Sequence, residues 1–312
     1  MADFDSICAV LCLMTRAAAA EDMPMPVSRP AMRRLLSSGG LHGLVLRHTD
    51  GIEPALLARA RVLLSRAKAV YQCLEGYRER GYEVILPQDA FWPRRLFAMG
   101  DRMPQFLFLR GNKELLSKRM IAVAGSRDIP RDVWDASCRL GKRIADEGFC
   151  LVSGCARGVD MGSESGALRA GGSAVLVPAL PDTVVLERKP RRDALEGDRL
   201  LVVYDTLPDD PFSAQRALAR NRTIYALGEA AIAVAPRDRI GGTWHGAADC
   251  LHMGCTPVFV PEGEALAGMG GAALIARGAR IVGISRPLAG QLFCAGQTDL
   301  FSVCGEEGLP CR

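Results

Sequence analysis

The sequence predicts an α/β protein: a Rossmann-like, doubly wound, mostly parallel sheet preceded by a small N-terminal helical domain. Three observations carry that expectation. Short apolar runs alternate with helix-like stretches from Met120 onward, the runs are hydrophobic throughout, and three of them end in turns bearing glycine. Crossover helices cover both faces of a parallel strand, so such a strand reads as an unbroken apolar run instead of an alternating one.

Taken in order, residues 1–80 read as helical. Ile7, Val10, Leu11 and Met14 share one helical face, and Leu56, Leu57, Val62, Leu63 and Leu64 fall near helical spacing, with Gly39-Gly40 between the two groups. The segment 82–111 carries Pro87, Pro93 and Pro104 and closes on Phe106-Leu107-Phe108-Leu109 before Gly111. It reads as a linker leading into an edge strand. Six runs then mark the sheet: Ile121-Ala122-Val123-Ala124, Phe149-Cys150-Leu151-Val152, Ala174-Val175-Leu176-Val177, Leu200-Leu201-Val202-Val203, Ala231-Ile232-Ala233-Val234 and Pro257-Val258-Phe259-Val260. The expected division is a helical domain at 1–80, a Rossmann-like domain at 81–285 and a C-terminal tail at 286–312.

Composition bounds the class. With 312 residues, 49% hydrophobic and 24% charged, the chain matches ordinary globular proteins with a sizeable core. A net charge of +4 permits a polyanionic partner without demanding one. The 11 cysteines are odd in number and lack the dense spacing of a secreted disulfide scaffold, which suits a reducing cytoplasm. The apolar run 7–14 follows Asp3 and Asp5 and stops at Arg16, so neither a signal peptide nor a membrane span is expected.

The glycine turns carry the functional expectation. Gly125-Ser126-Arg127, Ser153-Gly154-Cys155-Ala156-Arg157-Gly158-Val159-Asp160 and Gly241-Gly242-Thr243 each follow an apolar run and precede a helix-like stretch. In an open parallel sheet such turns lie along one edge, where glycine lets backbone N–H groups approach a ligand and helix N-termini favour negative charge. Arg127 and Arg157 make that ligand phosphate-rich; Ser126 offers a hydroxyl and an N–H, and Arg127 a guanidinium fork. Asp160 either caps the next helix or orients Arg157. Arg220 and Arg222 flank Asn221 and, two residues apart on a helix, do not share a face, so one meets the ligand while the other serves the structure. Among the few aromatic residues, Trp244 is best placed to stack on a base, and Arg188-Lys189-Pro190-Arg191-Arg192 reads as a solvated loop.

Several chemistries are excluded. Gly241 and Gly246 have Walker-loop spacing, but Ala247 stands where the lysine belongs, and no Gly-x-Gly-x-x-Gly follows the first strand. Neither Ser126 nor Ser153 lies in a Gly-x-Ser-x-Gly elbow. His245, Cys250, His252 and Cys255 lack a Cys-x-x-Cys pair, and the cysteines read as small core residues on a buried helix running into a strand. No catalytic residue, metal or cofactor is expected.

The succession Trp92-Pro93, Pro104 with Phe106-Leu107 and Gly111, Ile121-Ala122-Val123-Ala124-Gly125-Ser126-Arg127, Val152-Ser153-Gly154-Cys155-Ala156-Arg157-Gly158-Val159-Asp160 and Arg220-Asn221-Arg222 resembles the DNA-processing protein A family, also called Smf, over most of residues 82–280. The resemblance implies a SAM-like N-terminal domain and a non-enzymatic Rossmann-like domain that binds single-stranded DNA at a pocket near the Arg-Asn-Arg segment. It further implies a homodimer that protects incoming strands during natural transformation and helps load the RecA recombinase. Departures mark a divergent relative. Glu164 replaces a usual histidine and is expected to place a carboxylate near phosphate. Val177-Pro178-Ala179-Leu180 replaces a Gly-x-Gly turn, Gly241-Gly242-Thr243-Trp244 replaces Ser-Gly-Ser-Leu, and a winged-helix module has no room after about residue 285. The alternative is a nucleotide-binding sensor or a phosphoribohydrolase-like enzyme of the lysine-decarboxylase-like superfamily, whose glycine loop resembles Gly241-Gly242-Thr243. Its catalytic glutamate is missing at the required spacing unless Glu164 or Asp249 substitutes.

Overall fold

The computed structural model describes residues 4–37 and 52–293; Gly39-Gly40 and the tail beyond Phe293 lie outside the described residues. The helices α1 (Phe4–Met14), α2 (Arg29–Ser37), α3 (Pro54–Leu64) and α4 (Ala67–Glu79) come first. Proline opens α3, where a missing N–H costs nothing. Buried Arg66 donates to the carbonyls of Cys12, Thr15 and Ala17, supplying partners that the end of α1 lacks within the helix.

The sheet has nine strands among the described residues: β1 (Tyr82–Ile85), β2 (Leu107–Gly111), β3 (Met120–Gly125), β4 (Cys150–Ser153), β5 (Ala174–Leu176), β6 (Leu200–Tyr204), β7 (Ala230–Val234), β8 (Val258–Pro261) and β9 (Arg280–Val282). Their order is β1-β2-β6-β5-β4-β3-β7-β8-β9. Strands β3 to β9 run parallel, and β1 and β2 are added antiparallel on the β6 side. Each of the six apolar runs becomes a parallel strand, and β3, β6 and β7 are buried along their whole length. The fold is the expected mostly parallel Rossmann-like sheet.

Two strand assignments change. The Phe106-Leu107-Phe108-Leu109 run is not at the edge, because Tyr82–Ile85 pairs outside it. The long connection between β1 and β2, which holds a 3-10 segment at Arg94–Arg102, hides that pairing from any short-hairpin signal. The short β9 has no continuous apolar signature, since Arg280 and Ile281 are exposed.

Helices α5 (Arg131–Asp146), α6 (Val159–Arg169), α7 (Asp182–Val185), α8 (Lys189–Glu196), α9 (Ala214–Leu227), α10 (Gly241–Met253), α11 (Glu264–Ala267), α12 (Gly271–Ile275) and α13 (Leu288–Leu292) complete the chain. The basic run at 188–192 is therefore no solvated loop: it enters α8, and Arg191 is buried. The helical N-terminal part packs on the β1–β2 hairpin, with Tyr77 edge-on to Tyr82 and Phe108. Among the described residues no helix is long and apolar enough to cross a membrane.

From β3 the chain winds through β4, β5 and β6 in one direction, then returns through α9 to place β7 on the other side of β3. The crevice at such a reversal is where this class of sheet holds its ligands.

Candidate functional site

A cavity of about 350 Å³ opens at the carboxyl ends of β3 and β7. Its wall brings together Gly125, Ser126 and Arg127 from the turn after β3, Asp160 from the start of α6, Arg220 and Asn221 from α9, and Gly241, Gly242 and Thr243 from the start of α10. Ser153, Gly154, Arg157, Gly158 and Arg222 do not line it.

Asp160 holds the first two turns together. Its Oδ1 accepts the Gly125 N–H at 3.1 Å and its Oδ2 the Ala156 N–H at 3.4 Å. The carboxylate neither caps α6 nor orients Arg157: the cap position is Gly158 with no side-chain bond, and Arg157 lies on the surface, 3.4 Å from Asp128. Burial pushes the Asp160 carboxyl up to about 6, against the opposing charge of Arg220 and the N–H groups that favour the ionised form. Gly158 has φ +77, and a Cβ there would stand 2.3 Å from the Ser126 carbonyl oxygen. Glycine thus lets the β4 turn rest directly on the β3 turn.

Ser126 and Ser153 serve the framework. The Ser126 N–H donates to Val234 at 3.3 Å and its hydroxyl to Ala235, so the donors expected to meet phosphate instead pin β3 to β7. Ser153 is fully buried, its hydroxyl 2.9 Å from the Val123 carbonyl.

The α9 arginines divide. Arg222 donates to Asp249 at 2.6 Å, and Asp249 also meets Arg102 at 3.3 Å, a surface tie between elements. Arg220 points the other way: it is 4% exposed, reaches the cavity wall, and its Nε and Nη1 are buried with no hydrogen-bond partner. Desolvation lowers its pKa while the fields of Asp160, Cys155 and Asp205 support its charge. A buried guanidinium with idle donors is costly.

The third turn adds a helix N-terminus. Gly241 has φ +84, and the residue before it, Ile240, provides no side-chain cap to the thirteen-residue α10. Its first N–H groups lack intrahelical acceptors and carry the positive end of the helix dipole, beside Arg220 and Arg127.

Two carboxylates raised by the sequence stand elsewhere. Glu164 takes Arg191 bidentately at 2.6 and 2.7 Å, both side chains buried, so it places no charge in the cavity. Asp249 is engaged by Arg222. Neither lines the cavity in place of the missing glutamate. The Val177-Pro178-Ala179-Leu180 turn packs on Tyr204, whose hydroxyl donates to Leu180 at 3.3 Å.

Sequence reasoning missed Arg237, Phe212, Leu218 and Ile240, which also line the cavity. Phe212 and Ile240 are 46% and 62% exposed, and the Arg127 guanidinium lies 5.5 Å from the Phe212 ring centre. The aromatic wall is Phe212 and not Trp244, which is buried beneath Arg277 in the core. One signal was present: Phe212 immediately precedes Ser213, which caps α9 by accepting the Arg216 N–H at 3.1 Å.

The chain is thus a Rossmann-type α/β protein whose switch point carries a buried arginine with unpartnered donors and a helix N-terminus, the place where sheets of this class hold their ligands. Residues 83–290 match the family described as DNA recombination-mediator protein A, and the chain belongs to that family. The DNA processing protein DprA of Bacillus subtilis (strain 168) is 29% identical over 173 residues, 54% of this chain and 57% of that protein. The chain thus matches less than two thirds of that relative's length. The X-ray structure of DNA processing protein A from Streptococcus pneumoniae superposes with a TM-score of 0.61 at 22% identity, covering 83% of this chain and 95% of that one. The Helicobacter pylori protein, whose structure is described in terms of its single-stranded DNA binding mode, gives 0.53 at 22% identity, covering 65% and 92%. At these identities the two structures speak for the fold.

Proposed function

We propose that this chain is a non-enzymatic single-stranded DNA-binding protein that holds the sugar-phosphate backbone in the β3–β7 cavity. The observation that carries the reading is Arg220, buried at the cavity wall with its Nε and Nη1 unpartnered. Arg127, Arg237 and the start of α10 add positive potential around it, while Phe212, Leu218 and Ile240 offer an apolar surface to a base. Phosphate contacts of this kind give affinity with little sequence preference, and a base on Phe212 adds stacking without readout.

Family membership extends the reading. A cavity of this size covers only a few nucleotides, so a homodimer that presents two cavities to one strand, protects it and passes it to the RecA recombinase fits the site. The same reading places the protein in the cytoplasm and divides it into the helical residues 1–80, the Rossmann-like residues 81–285 and the tail 286–312.

Fluorescence anisotropy of labelled oligo-dT at two salt concentrations, with duplex DNA and AMP as competitors, tests the proposal. Salt-sensitive binding that duplex and AMP fail to displace is expected. Retention or hydrolysis of AMP without oligonucleotide binding would overturn it in favour of a small-nucleotide protein.

A further inference from the structure

Away from the cavity, at the other end of α10, the Sγ atoms of Cys250 and Cys255 approach to 3.0 Å. The helix stops at Gly254, which adopts left-handed φ 64 and ψ 21 and donates its N–H to Leu251 at 3.3 Å. A left-handed terminus of this kind folds the residue just beyond the glycine back over the last full turn, where an apolar pair ordinarily fills the contact. Here both positions are thiols. A disulfide bond is about 2.05 Å long, so closing it asks for a movement of about 1 Å at a turn hinged on glycine. Both cysteines are buried, while His252 and Gly254, which lie between them in the chain, are exposed.

We propose that Cys250 and Cys255 form a dithiol modification site that a peroxide converts reversibly to a disulfide. The contact between the two thiols lowers the pKa of Cys255 and raises that of Cys250, and Cys255 is the attacking sulfur. Its thiolate breaks the O–O bond of hydrogen peroxide, taking one oxygen as a sulfenic acid; the departing hydroxide combines with the proton that Cys255 gave up. The Cys250 sulfur then attacks the sulfenic sulfur, and the sulfenic oxygen leaves as water with the Cys250 proton. Two thiols lose two protons and two electrons, and one peroxide becomes two waters. A dithiol reductant reverses the change by thiol–disulfide exchange.

The sequence makes the product easy to read. Cleavage after Arg239 and Arg277 releases residues 240–277, which contain Cys250 and Cys255 and no other cysteine. After the folded full-length chain is treated with hydrogen peroxide, this peptide is expected to lose two hydrogens and to take up no alkylating reagent until dithiothreitol is added. Cys250→Ser and Cys255→Ser should each abolish that loss. Uptake of two alkyl groups by the peptide at a peroxide dose that has already oxidised the half-buried Cys73 or Cys138 would overturn the proposal, as would conversion of Cys255 to a sulfinic acid without bridging.

Discussion

The guanidinium of Arg220 packs so closely on Gly154 that a Cβ at position 154 would stand 1.7 Å from Nη1 and 2.7 Å from the Asp160 Oδ2. Gly154 does not line the cavity, yet it decides where the buried arginine sits. Gly154→Ala is therefore expected to displace Arg220, with a loss of about 1 to 3 kcal/mol in denaturant unfolding from overpacking and a larger proportional loss in oligonucleotide affinity. Unaltered affinity in that variant would mean that Arg220 has no part in binding.

Arg220→Met keeps a shorter unbranched apolar stem and removes the guanidinium with its charge. Loss of a charge-assisted phosphate contact should weaken oligo-dT binding about tenfold or more, roughly 1.5 to 3 kcal/mol. Because the Arg220 charge favours the ionised Asp160, the same variant should push the Asp160 carboxyl further up, which the pH dependence of unfolding would register.

The sign of the pH effect follows from Asp160. Its carboxyl rises from 3.8 to about 6 on folding, so the native state holds a proton that the unfolded chain has released in that window. Stability from this group is fully present below the unfolded value and is lost as pH rises through about 6. Between pH 5 and pH 7 the Asp160→Asn variant should gain roughly 1 to 2 kcal/mol relative to the parent, measured by urea titration. Oligonucleotide affinity of the parent should rise as pH falls from 7 to 5, because a neutral Asp160 leaves the Arg220 charge uncompensated. Parallel stability curves for parent and variant would refute this account.

Glu164→His tests the buried Glu164–Arg191 pair. The substitution restores the residue type that the family resemblance implies, but it strands Arg191 without its carboxylate. Breaking such a pair costs about 3 to 5 kcal/mol. A fall in thermal midpoint with no gain in DNA affinity is the expected outcome, and Glu164→Gln should be milder because it keeps one acceptor for Arg191.

Arg127 is exposed and contacts the Phe212 ring. Arg127→Ala should leave stability within about 0.5 kcal/mol of the parent. It should also weaken binding equally for dT and dA oligonucleotides and reduce the salt slope by about one unit. Phe212→Ala should do the opposite: lower affinity with the salt slope intact, because stacking releases no counterion.

The sheet was legible because its strands are buried on both faces, so the runs in β3, β4, β5, β6, β7 and β8 need no partner to be recognised. The β1 strand escaped notice for the converse reason: its evidence is a pairing with Leu107–Gly111 across a long connection, and pairing leaves no mark on local composition. The glycine turns were legible for their backbone freedom. The direction of each polar side chain was not, and Ser126, Glu164, Trp244 and Arg222 all turn to partners other than those their local motifs suggest.

By itself, then, the sequence determined the layer architecture, the edge of the sheet where the three turns gather, and the kind of charge they present. These depend on hydrophobic period and on glycine, which are local properties. Only the tertiary structure decided which donors remain for a ligand. Gly125 finds its acceptor on Asp160, thirty-five residues away, and the Ser126 hydroxyl is taken by Ala235. Whether a polar group needs a further partner depends on whether the rest of the fold already satisfies it, and the Arg220 Nε and Nη1 are left without one.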